Sequence, residues 1–129
     1  MLTLTFRNLL TLDPGFTPDR LLVVGFDLSR ASYPKDQLLA VKRSILDALR
    51  ALPDVQAASQ SDIVPMSGSG WNNRILVGGA VQKDYPNFNR VSPGYFKTLR
   101  TPLVAGREFD ERDDASSPVV AIVNESFAE

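Results

Sequence analysis

Leu21-Leu22-Val23-Val24-Gly25-Phe26-Asp27-Leu28 is the stretch on which the fold turns. It is a short, nearly continuous apolar run ended by polar Ser29-Arg30, the pattern of a buried strand, expected at the centre of its sheet. After the turn-like residues 31–34, apolar Leu38, Val41, Ile45, Leu49 and Leu52 recur at three- and four-residue spacing, with Lys42, Arg43, Asp47 and Arg50 between them. This spacing predicts an amphipathic helix with Leu38, Val41, Ile45 and Leu49 against the sheet. Asp36 is placed to cap it or to sit in its first turn, and Pro53 forbids continuation past Leu52. Val55, Ala57, Ser59, Ser61 and Ile63 then alternate as one face of a second strand. Residues 21–63 therefore read as strand–helix–strand, with the length of a right-handed crossover between parallel strands.

Toward the N-terminus, Leu2, Phe6, Leu9 and Leu10 fall on one helical face before Asp13-Pro14-Gly15 stops the helix. Two readings stand: a helix packed on the core, or the aqueous end of a helix whose other part crosses a membrane. Toward the C-terminus, residues 65–70 form a flexible break at which a second subdomain can begin. Strand-like 75–77, closed by Gly78-Gly79, and strand-like 88–91 follow. Ser92-Pro93 gives a helix start, with Ser92 as N-cap, and the helix runs to about Leu99 before Thr101-Pro102. Residues 103–105 read as a strand, 106–114 as a charged loop and 119–123 as another buried strand. Asn124 would cap a helix beginning at Glu125, and a single helical turn is marginal alone, so the natural chain is expected to continue past Glu129.

The chain's 129 residues, 43% hydrophobic and 22% charged, suit one ordinary α/β globular module. A net charge of −1 gives no general attraction to nucleic acid, and no nucleic-acid partner is expected. With no His and no Cys, Ser-His-Asp and Cys-His nucleophiles, the common zinc sites and disulfides are all excluded. No stretch reaches the roughly 20 apolar residues of a membrane span, and the first residues, without a basic region followed by an apolar one, are not expected to be a secretory signal. Ser67-Gly68-Ser69-Gly70 lacks both a base and the Lys of a phosphate loop, so it reads as a turn. The acids of residues 110–114 lack calcium-loop spacing and read as a solvated turn. Trp71, Tyr85, Phe88, Tyr95 and Phe96 form either the core of a small subdomain or a stacking surface for a ligand. No catalytic, cofactor or metal residue is expected.

Four strings occur in one order: Asp13-Pro14-Gly15-Phe16; Val91-Ser92-Pro93-Gly94-Tyr95-Phe96; Gly106-Arg107 with Phe109 and Asp113; and residues 120–125, Val-Ala-Ile-Val-Asn-Glu. Together with the strand–helix–strand between the first two, they resemble the periplasmic core domain of MacB-like ABC transporter permeases, a group that includes FtsX-like and duplicated orphan permeases. The resemblance covers nearly the whole chain. It implies an α/β (α+β) fold in which residues 17–64 and 119–129 form an incomplete porter-like subdomain and 65–118 a small inserted α/β subdomain. It also makes residues 1–16, with Leu2, Phe6, Leu9 and Leu10, an amphipathic coupling helix continuing from a transmembrane span.

The function implied is mechanical. The segment would lie on the periplasmic side of the bacterial inner membrane, taking ATP-driven motion from the permease's transmembrane helices and contacting partner proteins or substrate during export. ATP hydrolysis would belong to a separate nucleotide-binding domain, so the chain is expected to be no enzyme. A periplasmic adaptor is a further implied partner. An extracytoplasmic module that binds a lipid or peptide is the alternative reading. Uncovered strand edges and the N-terminal apolar stripe are also expected to favour self-association of the chain.

Overall fold

Helix α1, Lys35–Arg50, forms where the three- and four-residue apolar spacing places it. It begins directly after Pro34, whose extended backbone stands outside the helix, and Asp36 lies in its first turn and Arg50 in its last, each favourable against the helix dipole. The helix ends at Arg50, ahead of Pro53. The computed structural model describes residues 14–28, 33–83 and 85–128. The expected helix with Leu2, Phe6, Leu9 and Leu10, as well as Asp13 and the first half of the expected turn at 31–34, lies outside the described residues.

Three further elements and a short fourth complete a small mixed α/β chain: β1 Leu76–Val77, β2 Ala80–Val81, α2 Tyr95–Leu99 and α3 Glu125–Ala128. β1 and β2 pair antiparallel, Leu76 opposite Val81 and Val77 opposite Ala80. Gly78 and Gly79 make this turn, with φ of 59° and 84°. Positive φ at both central residues is the requirement of a tight hairpin turn whose twist matches its strands.

The strand–helix–strand expectation is corrected at both strands. Residues 21–28 join no strand ladder, and their side chains lie largely in solvent, with Leu22 83% exposed. Residues 55–63 make no parallel pairing either. Their backbone capacity goes to another segment: Ser61 bridges Val91 antiparallel, the Asp62 amide donates to the Arg90 carbonyl at 3.0 Å, and the Ser92 amide to the Gln60 carbonyl at 2.9 Å. Residues 60–62 thus pair with 90–92, and among the described residues no ladder forms beside 21–28. The expected strands at 103–105 and 119–123 are likewise unformed, and Val119, Val120 and Val123 are exposed.

The core is correspondingly small. Leu46 at 9% and Leu99 at 7% exposure are the buried apolar residues among those described. The face expected to pack, Leu38, Val41, Ile45 and Leu49, is half-buried, and Leu52 is exposed. Leu46 was not among the expected core positions. It adjoins that face, and with no sheet beneath the helix the most sheltered line passes through it. The chain exposes 11174 Å², whereas a compact monomer of 14.2 kDa exposes about 6,800 Å².

Candidate functional site

α2 is too short to persist alone, and the bonds at its ends show what fixes it. Its last turn closes with Arg100 at a φ of 56°: the Thr101 amide donates to the Phe96 carbonyl at 2.9 Å and the Arg100 amide to the Lys97 carbonyl at 3.2 Å. This is the paired bonding of a helix ended by a left-handed residue, a place glycine usually takes. Ser92 is not the side-chain N-cap expected of it. Its hydroxyl instead accepts from the Gln60 amide at 2.8 Å, and Gly94, left-handed at a φ of 83°, precedes the helix. The cap comes from Glu108, whose Oε1 accepts from the Phe96 amide at 2.8 Å.

Three of the four sequence strings converge around this helix. From the first, the Gly15 carbonyl accepts from Thr101 Oγ1 at 2.8 Å, and the adjacent Thr17 amide donates to the Leu99 carbonyl at 2.9 Å. Gly15 has a φ of 76°, a conformation a side chain would strain. The segment Pro14-Gly15-Phe16 is thus latched to the C-terminal end of α2. From the second string, the Pro93 carbonyl accepts from Arg50 Nη2 at 3.1 Å, while Arg50 Nε donates to the Ala58 carbonyl at 3.0 Å. One guanidinium so ties the end of α1 to both the segment leaving it and the entry to α2. Tyr95 and Phe96 stack edge to face with ring centres 5.3 Å apart. Burial raises the Tyr95 hydroxyl above its ordinary pKa, opposed by hydrogen bonds with Asn89 and Ser61.

The third string forms an ion-paired loop beside the cap. Arg107 holds Asp113 through two bonds of 2.7 and 2.6 Å, and Asp113 Oδ2 also accepts from the Asp110 amide at 2.9 Å. Those bonds keep the Asp113 carboxyl down to about 2 and raise the Arg107 guanidinium above its usual range. Arg112 bonds both oxygens of Asp110 and holds that carboxyl well below the carboxylate range. Phe109 is half-buried next to these pairs. Gly106, at a φ of 79°, turns the chain into the loop. Asp110 and Asp113 are thus paired with arginines and Asp114 accepts from Ser116 and Ser117, and among the described residues no group of His, Cys, Asp or Glu is arranged to hold a metal ion.

The Asp113 shift has a pH consequence of fixed sign. Its carboxyl is depressed in the folded chain, so the pairing contributes fully above the ordinary carboxylate pKa of 3.8 and is lost as pH falls through about 2. In an NMR titration the Asp110 amide, bonded to Asp113, should shift with a midpoint at about 2. Asp113→Asn should abolish that step, and a midpoint at the ordinary value would show that the pair is not formed.

The fourth string borders the second and third across open depressions. α3 receives backbone bonds at the Asn124 carbonyl from Phe127 and Ala128, and Val120 borders an open depression of about 320 Å³ with Arg107, Asp113 and Ser117. A neighbouring depression of about 350 Å³ reaches Asn89 and Phe109. Neither is lined by Trp71, Tyr85, Phe88, Tyr95 or Phe96. Trp71 packs on Phe88 instead, with ring centres 5.0 Å apart.

Arg50, Glu108, Thr17 and Thr101 are the members of this junction that sequence reasoning missed. Glu108 caps a helix 12 residues before it, beyond any local capping pattern, and Arg50 reads as an ordinary last-turn cation. Among the described residues no helix is long and apolar enough to cross a membrane. No protein-family model, curated protein or solved structure matches the chain.

Proposed function

We propose that this chain is the extracytoplasmic, periplasmic-side domain of an ABC transporter permease of the MacB-like kind, passing motion from the membrane to partner proteins or substrate during export. The reading rests on the order of the four sequence strings and on one observation, the latch of Gly15 and Thr17 onto Leu99 and Thr101. In this reading the chain leaves the membrane through residues 1–16, and displacement of that helix pulls on 15–17. The latch passes the pull to α2, and Pro93 and Arg50 pass it on to α1. Glu108 carries it to the Arg107–Asp113 loop. Residues 17–64 with 119–129 would be the porter-like part and 65–118 the insertion. Hydrolysis of ATP falls to a separate nucleotide-binding domain, and an adaptor protein would meet the far side.

The latch can be cut without disturbing apolar packing. Thr101→Val removes the hydroxyl donor and Thr17→Pro the amide donor. In the full-length transporter, spin labels at Arg43 on α1 and at Ser69 should change separation on ATP addition. Either variant should reduce that change by about half or more while ATP hydrolysis continues, since a lost hydrogen bond weakens coupling by up to about tenfold. A full-sized change in both variants would contradict transmission through the latch.

A further inference from the structure

Residues 71–88 fold into one antiparallel arm with its polarity graded along its length. Beyond the β1–β2 turn, the Gln82 amide donates to the Ile75 carbonyl at 3.0 Å, Asn72 bridges Asn87, and the Phe88 amide donates to the Trp71 carbonyl at 2.7 Å. The tip, residues 75–81, is Ile-Leu-Val-Gly-Gly-Ala-Val and carries no polar side chain. Leu76, at 70% exposure, Val77 and Val81 lie in solvent. Arg74 and Lys83 flank the tip, and Trp71 and Tyr85 stand next along the arm.

The cations and aromatics are interlocked. Arg74 Nε donates to the Tyr85 hydroxyl at 3.1 Å, and its guanidinium lies 5.8 Å from the Tyr85 ring centre. The Arg90 guanidinium lies 4.8 Å from the Trp71 ring centre and 3.7 Å from an Asp62 carboxylate oxygen. Along residues 71–88 the sequence carries Arg74 and Lys83 against one acid, Asp84, in a chain whose net charge is −1, and Arg90 beyond the arm is ion-paired with Asp62. The arm thus carries a small positive excess, from the two cations that flank its apolar tip.

From this arrangement we infer that the arm is a membrane-surface anchor: its apolar tip enters the acyl boundary of a bilayer while Arg74 and Lys83 meet anionic headgroups. A core hairpin would turn these apolar residues inward, and a soluble-protein contact would not require cations on both flanks with amphipathic rings behind them. Aromatic rings with one polar end partition to the headgroup level, and long cationic side chains reach back to it from an apolar segment. The two glycines at the turn leave the apex narrow. The inference does not depend on the transport reading, since a chain with any other task would keep the same arm.

Trp71 is the chain's single tryptophan and reports on the arm directly. Vesicles of phosphatidylcholine with about 30% phosphatidylserine, titrated at low salt onto the full chain, should blue-shift its emission, and brominated acyl chains should quench it. Each nearby cation is expected to strengthen binding about fivefold, so Arg74→Glu and Lys83→Glu together should weaken it more than about twentyfold. Leu76→Asp with Val81→Asp should weaken it at least tenfold, because both positions are solvent-exposed and the charge falls on the inserted surface. Leu22→Asp, at an exposed apolar position off the arm, should leave binding at the wild-type value, which separates the anchor from general stickiness. Absence of bromine quenching, or an equal loss with Leu22→Asp, would overturn the inference. So would tip variants that dissolve a complex between copies yet bind vesicles as the wild type does, a result assigning the arm to a protein contact.

Discussion

Leu99→Ala should unfold the isolated chain. Leu99 is 7% exposed, its carbonyl accepts the Thr17 amide, and it closes α2 where the latch is made. Truncating a buried Leu to Ala costs about 2–5 kcal/mol, and domains of ordinary compactness have only about 5–15 kcal/mol of stability in total. With Leu46 and Leu99 the buried apolar residues among those described, the core is small, which places the chain at the low end. The helix signal in circular dichroism should lose its cooperative urea transition in this variant. Ile45→Ala, at a half-buried position, should cost about 1 kcal/mol and keep the transition. A Leu99→Ala midpoint shift equivalent to less than about 0.5 kcal/mol, the usual surface range, would mean that the core lies elsewhere.

The second large effect concerns self-association. Leu22, Val23, Val24 and Phe26 are exposed on one extended segment and Val119, Val120 and Val123 on another, and neither segment belongs to a ladder. Exposed apolar chain outside any ladder is a template for a further strand. Light scattering over a concentration series should therefore show the wild-type chain forming dimers or larger species as concentration rises. Val24→Lys with Val120→Lys should return it to monomer, because a charge on the pairing face blocks strand addition. A chain monomeric up to millimolar concentration would show that these segments are protected in solution. Self-association of this kind would reflect the exposed apolar segments and not the assembly in a membrane.

The helix at Lys35–Arg50 was legible because its evidence is local: apolar spacing, a first-turn acid and a proline beyond its end all lie within a few residues. The Gly78-Gly79 hairpin was partly legible for the same reason, since the strand at 75–77 ends where two glycines can take positive φ. The expected central strand at 21–28 failed because a strand is defined by its neighbour, and the composition of Leu21-Leu22-Val23-Val24 says nothing of whether that neighbour is free. Here 60–62 pairs with 90–92, a partner 30 residues on, and no ladder forms beside 21–28. Ser92-Pro93 shows a subtler failure. The pattern placed a helix near the right residues, yet the Ser92 hydroxyl bonds the Gln60 amide, and the cap is supplied by Glu108. Of the candidate site, the strings around Gly15, Pro93 and Arg107 were visible as strings. Their convergence on α2 was not, because the bonds from Thr101 to Gly15 and from Arg50 to Pro93 span 86 and 43 residues.

The placement of this chain outside the cytoplasm is the claim on which the transport reading stands, and the chain's lack of cysteine makes it directly measurable. Ser69, exposed in the turn at 65–70, accepts a cysteine without touching the latch or the core. In intact cells producing the full-length protein with Ser69→Cys, a membrane-impermeant maleimide should label this site as fully before permeabilisation as after it, on protein that sediments with the membranes. Labelling that appears only after permeabilisation would put the chain in the cytoplasm and contradict the account.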